Sequence, residues 1–144
     1  MADDALIGTW LLRSHQVEDR NTGERTEPFG STPSGVLIVL PDGRMSALIV
    51  GQAVADTGAA PLIAFSGHYR VPSPGSFVTA VDVASIAPWV GTEQARSYTI
   101  AGDRLELSTA PALMPDSDGI AEARVGRMVW VRETTAVAGN QASD

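Results

Sequence analysis

An arginine and two tyrosines are the side chains in this sequence best suited to act on a bound molecule. Arg96 and Tyr98 stand two residues apart in EQARSYTIA, a spacing that puts both on one face of a strand. An arginine facing an apolar cavity needs an anionic partner or a ligand carbonyl, and it would polarise that carbonyl. At the rim of a sheet it buries its stem instead and keeps its head in water. Both readings of Arg96 stand at this level. Tyr69, in FSGHY, and Tyr98 can each donate a hydrogen bond to a ketone or enolate, or spend the hydroxyl on a backbone carbonyl. Arg96, Tyr98 and Tyr69 are therefore the candidate catalytic residues.

The other reactive side chains point elsewhere. His68 alternates with Phe65 and Tyr69 in parity, which places it outside the sheet, and His15 is read as a surface residue without a partner. Asp82 lies between Val81 and Val83 and faces outward by the same count. The run Asp116-Ser117-Asp118-Gly119 lacks the distal Glu of a calcium loop and reads as a turn. No G-x-S-x-G, G-x-G-x-x-G or H-x-H occurs, so nucleophilic hydrolase, dinucleotide and zinc chemistry find no support. There is no Cys for a thiolate or disulfide, and no Lys for a Schiff base.

Positioning these groups requires strands. Residues 34–50, SGVLIVLPDGRMSALIV, hold two aliphatic runs around Pro41-Asp42-Gly43, and that turn chemistry predicts a β-hairpin. A short helical turn precedes a strand from about Thr9, with Trp10, Leu12 and Ser14 on one face. A short strand is expected near 25–27, then strands over 62–71 and 77–84. Residues 86–92 form a connection carrying Trp89. A second hairpin joins 94–101 to 104–109 around Gly102-Asp103, and 124–133 is the last strand. Residues 51–61 and 110–119 read as loops placed to form a lid. The sum is about eight or nine antiparallel strands, an all-β barrel or sandwich.

Alternation supplies a candidate ligand-binding lining of Met45, Ala47, Ile49, Phe65, Val71, Phe77, Val81, Val83, Met128 and Trp130, with Trp89 beside it. Each of these side chains also suits a packed core; as a set they suit an adaptable apolar pocket. The net charge of −7 argues against a nucleic-acid surface. Neither a signal-peptide pattern nor an apolar run of about 20 residues is present, so a cytoplasmic protein without membrane contact is expected. Residues 1–5 read as a disordered start, 6–133 as one domain and 134–144 as a flexible tail. The partner expected is a small hydrophobic molecule, with a homodimer as the open alternative to a monomer. No cofactor is expected.

Gly8-Thr9-Trp10 resembles the Gly-x-Trp signature of lipocalins. The pieces LIGTWLLRS (6–14), PFGSTPSGVLIVLPDGRMSALI (28–49), FSGHY (65–69), PWVGTEQAR (88–96), GDRLELST (102–109) and MVWVR (128–132) together resemble the short bacterial and fungal lipocalin-like domain family. That resemblance implies a calycin-type antiparallel barrel in which the tryptophan closes the floor and a late arginine, here Arg132, packs on it. It also implies a reading as a cofactor-free cyclase or isomerase of a polyketide-like intermediate in secondary-metabolite biosynthesis, with a non-catalytic carrier as the alternative. Relatives often carry histidines in the strand that here reads FVTAVDVAS (77–85); this chain has Thr79, Ala80 and Val81 there, so their histidine chemistry is not implied.

Overall fold

The structure, a computed structural model, describes residues 4–52, 58, 60–109, 112–115 and 121–133. A 3-10 turn, η1 (Asp4–Leu6), leads into strand β1 (Gly8–Asp19). Then come β2 (Arg25–Thr26), β3 (Ser34–Val39), β4 (Arg44–Val50), β5 (Leu62–Arg70) and β6 (Ser76–Ala84). A second 3-10 turn, η2 (Ala87–Trp89), precedes β7 (Glu93–Ala101), β8 (Arg104–Thr109), β9 (Ala112–Pro115) and β10 (Ala121–Arg132).

Strands β1, β3, β4, β5, β6, β7, β8 and β10 follow one another around the sheet, and β10 pairs back onto β1. This is a closed antiparallel barrel of eight strands, with β2 and β9 appended at its rim. Closure removes the free edges that an open sheet of this size would present. The strand β9, paired with β10 from Ala112↔Arg124 to Pro115↔Ala121, lies where a loop was expected. The rest of both lid candidates, 53–57, 59, 110–111 and 116–119, falls outside the described residues, as do the expected tail and residues 1–3.

Local chemistry builds the hairpins. At Pro41-Asp42-Gly43 the chain reverses with Gly43 at φ 100°, and Asp42 Oδ1 accepts the Arg44 N–H at 3.1 Å. Gly102-Asp103 turns β7 into β8 with Ala101 opposite Arg104. On the outer face charged groups pair with each other: Arg44 forks onto Asp82 at 2.7 and 3.2 Å, and Arg70 onto Glu93 at the same two distances. His68 faces outward, as its parity requires.

Two bulges set which side chains face inward. In β1 the register against β10 slips between Leu12 and Ser14, so Arg13 is an extra residue and parity inverts beyond it. Trp10 and Leu12 point in, and so do His15 and Val17. In β5–β6, Ser66 pairs Val83 but Gly67 pairs Val81, which leaves Asp82 as the extra residue. Val81 is buried at 3% exposure while Val83 stands 63% exposed, against its expected place in the lining. Gly67 is needed for this approach, because a Cβ there would lie 2.0 Å from the Ala80 carbonyl oxygen.

The floor of the barrel is sealed by Trp10, Leu6 and Arg132. Trp10 is fully buried and donates its indole N–H to Leu6 O at 2.9 Å. Arg132 lies with Cζ 4.2 Å from the Trp10 ring centroid and donates to Ile7 O at 2.9 Å and Ala5 O at 2.7 Å. Gly8 makes room for that guanidinium: its φ is 137°, and a Cβ would sit 2.8 Å from Arg132 Nη1.

A lumenal cavity with one uncompensated cation

Above this floor the side chains do not fill the barrel. A cavity of about 780 Å³ occupies the lumen, within the range of about 300–1,000 Å³ that holds small organic ligands. Its walls are largely apolar. Met45 and Ile49 come from β4, Phe65 from β5, Phe77 from β6, and Met128 and Trp130 from β10. Trp89 from η2 joins them, edge-on to Phe65 with centroids 5.6 Å apart.

The expected site residues divide between cavity and wall. Met45, Ile49, Phe65, Phe77, Trp89, Met128, Trp130 and Arg96 line the cavity. Val81 is buried in the wall outside the lining, and so are the two tyrosines. Tyr69 donates its hydroxyl to Leu40 O at 2.8 Å and stacks on Phe77 at 5.3 Å. Burial, then the charges of Asp42 and Asp4, hold its phenol above the ordinary range, so it stays protonated. Tyr98 stands edge-on to the other side of the same system, 6.5 Å from Phe77. Both tyrosines thus brace Phe77.

Arg96 is the group that the lumen leaves without compensation. It pairs in register with Phe77 on β6 and Thr109 on β8. Thr109 Oγ1 accepts the Gly126 N–H at 2.8 Å, and Gly126 lies opposite Val17 on β1. Arg96, Phe77, Thr109, Gly126 and Val17 of this row all border the cavity. Arg96 donates to its neighbours Ala95 O at 2.9 Å and Gln94 Oε1 at 2.8 Å, both neutral acceptors. Among the described residues no carboxylate pairs with it. Glu93, which also borders the cavity, is held outside by Arg70. Burial pushes the Arg96 pKa below its usual value, yet a guanidinium remains charged at any physiological pH.

His15 was expected on the surface and lines the cavity instead, because the bulge at Arg13 turns it inward. Its ring meets Phe29 edge-on at 5.1 Å, and burial lowers its pKa from 6.5. The sequence does contain the signal. Val17 is apolar and lies an odd number of residues after Leu12, so both face the interior only if one residue between them is extra.

The lumen therefore offers apolar walls and one cation, with no group of three or more metal-ligating side chains among the described residues. No helix among those residues is long and apolar enough to cross a membrane.

A search of solved structures finds a likeness to a de novo designed fluorescence-activating β-barrel. It covers 92% of this chain and 100% of that chain at 18% identity and a TM-score of 0.45. No curated protein matches the chain. A family profile described as lipocalin-like domain matches residues 7–55 and 50–133, which together span the whole barrel from the floor to the closing strand. With that match, the chain belongs to the lipocalin-like domain family.

Proposed function

We propose that this protein is a cofactor-free cyclase or isomerase that acts on a small, largely apolar, polyketide-like molecule held in the barrel lumen. The observation that supports the reading is Arg96, a cation facing an apolar cavity with only neutral acceptors around it. Such a charge is costly unless an anion or a polarised oxygen joins it. It is worth most to an oxygen that gains negative charge during a reaction, because the guanidinium is already oriented by its two hydrogen bonds.

The chemistry that fits is an intramolecular carbon–carbon closure. The α-carbon of one carbonyl gives up its proton and attacks a second carbonyl carbon of the same molecule. The π pair of that carbonyl moves onto its oxygen, next to Arg96, and the released proton ends there. Nothing is gained or lost, so the product is an isomer of the substrate. Shape-holding walls such as Met45, Ile49 and Met128 bring the two carbons into near-attack geometry, the step that otherwise costs the most entropy. Secondary-metabolite biosynthesis is the setting that suits such a substrate.

A carrier is the second reading, and the tied hydroxyl of Tyr69 favours it, since fewer polar groups then reach the ligand. Incubating the protein with a metabolite extract of its source organism, with mass spectrometry of the solution and of the protein-bound fraction, separates the two. A mass that is depleted while an isomer of equal mass appears, in wild type and not in Arg96→Met, supports the cyclase. A molecule retained unchanged supports the carrier. A folded protein that neither converts nor retains anything contradicts both.

A further inference from the structure

Among the described residues, two buried side-chain atoms lack a hydrogen-bond partner: His15 Nδ1 and Trp130 Nε1. Both side chains line the lumen. The indole nitrogen is a donor only. For His15 the unpaired, sealed Nδ1 decides the tautomer. A proton on Nδ1 would be an orphaned buried N–H, whereas a bare lone pair there is tolerated more readily. The proton therefore sits on Nε2, the nitrogen left to meet the cavity.

Protonating both nitrogens would place a second cation in an apolar wall that already holds Arg96, and burial disfavours it. Among the described residues the charged groups bordering the same cavity are Arg96, which repels an imidazolium, and Glu93, which is engaged by Arg70. On β10, which flanks β1, Arg127 pairs with Glu18 of β1 and is exposed. Among the described residues no carboxylate orients Nδ1, so they do not form the arrangement that makes a histidine a general base.

We infer that His15 is a ligand-binding residue, a neutral imidazole that donates Nε2–H to a second oxygen of the molecule held by Arg96. This rests on the lumenal reading above and narrows its substrate class. Arg96 on β7 and His15 on β1 are separated by the steps β7–β8, β8–β10 and β10–β1. At about 4.8 Å per step that is roughly 14 Å of wall, so the two donors reach the lumen from different sides. A ligand with two oxygens meets both at once. The ligand is an apolar molecule with two separate acceptor oxygens, a dicarbonyl or keto acid.

The test uses two probes of similar size, 1-(2-naphthyl)pentane-1,4-dione, whose carbonyls are separated, and 2-butylnaphthalene, titrated against the whole protein by Trp fluorescence. His15→Phe is expected to weaken the diketone about fivefold, the worth of one neutral hydrogen bond. It leaves 2-butylnaphthalene unchanged, and His15→Gln, which keeps a donor, recovers most of the loss. Nitrogen-15 NMR of the unmodified protein is expected to show the Nε2–H tautomer, neutral through the range where a free histidine titrates. Equal diketone affinity in wild type and His15→Phe, or an Nδ1–H tautomer, overturns the assignment of His15 alone. A wild type that binds neither probe overturns the lumenal reading and this inference with it.

Discussion

Replacing Arg132 with Met tests whether the floor of the barrel is held by polar contacts or by burial alone. The wild-type guanidinium makes two hydrogen bonds, to Ile7 O at 2.9 Å and Ala5 O at 2.7 Å, and covers the Trp10 ring at 4.2 Å. Charged hydrogen bonds of this type are worth about 1.5–3 kcal/mol each when buried. The one to Ala5 is exposed and counts for less. The cation–π contact adds about 0.5–2 kcal/mol. The ion pair to Asp103, at 3.5 Å with that carboxylate 65% exposed, adds little. Methionine keeps the apolar stem over Trp10, so the expected loss is about 3 kcal/mol. For a domain of this size that lowers Tm by roughly 10 °C. Urea unfolding followed by far-UV circular dichroism would read it as a fall in midpoint at constant slope. Asp103→Asn should shift the midpoint by less than about 0.5 kcal/mol equivalent. A midpoint for Arg132→Met equal to wild type would refute the reasoning, because the floor would then be held by packing of Trp10 and Leu6 alone.

Other perturbations separate structure from function. Gly8→Ala should destabilise by about 1–3 kcal/mol, since it forces a side chain into φ 137° and against Arg132; wild-type stability in a chemical denaturation would contradict this. Arg96→Met should leave stability unchanged or raise it by about 1 kcal/mol, because a cation without a carboxylate leaves an apolar wall; a marked loss in thermal melts would show that Arg96 is a structural group. The His15 pKa lies below its unfolded value of 6.5, so the unfolded chain takes up the proton first as pH falls. The contribution of neutral, partly buried His15 is then complete above about pH 6.5 and declines as pH falls through the folded pKa. Asp82 and Glu93, held low by Arg44 and Arg70, act only in the carboxylate range further down. His15→Phe should flatten the pH dependence of the urea midpoint between about pH 7.5 and 5, and parallel curves for both proteins would argue against burial of this histidine.

Strand identity was legible because turn residues and aliphatic runs report it locally. The hairpin at 34–50 and the turn at Gly102-Asp103 follow from residues near one another in sequence, and the stacking of Arg132 on Trp10 is what the lipocalin resemblance implies. Side-chain direction was legible within each strand only as far as a bulge. A strict period of two carried Val83 into the lining, and the lack of a recognisable partner put His15 on the surface; the structure departs from both where one strand holds an extra residue, at Asp82 and Arg13. Gly67 beside the second bulge was a usable sign, since only a residue without a side chain fits against the Ala80 carbonyl. The fate of the tyrosine hydroxyls had no local sign. Tyr69 finds its acceptor at Leu40, across two strands of the barrel wall, which only the assembled register reveals. Strand β9 is short and made of ALMP, and its pairing depends on β10 reaching back to residue 121.

The measurement that bears most directly on the lumen as a binding site, with Arg96 as its polar anchor, compares 2-naphthoate with 2-ethylnaphthalene in wild type and Arg96→Met. Trp89 and Trp130 line the cavity and report occupancy by their emission. Both compounds should bind wild type, and the substitution should weaken naphthoate by about tenfold or more, the worth of a charge-assisted hydrogen bond, while ethylnaphthalene binds as well or better. Loss of affinity for both compounds alike, or emission that neither compound alters, would contradict the account.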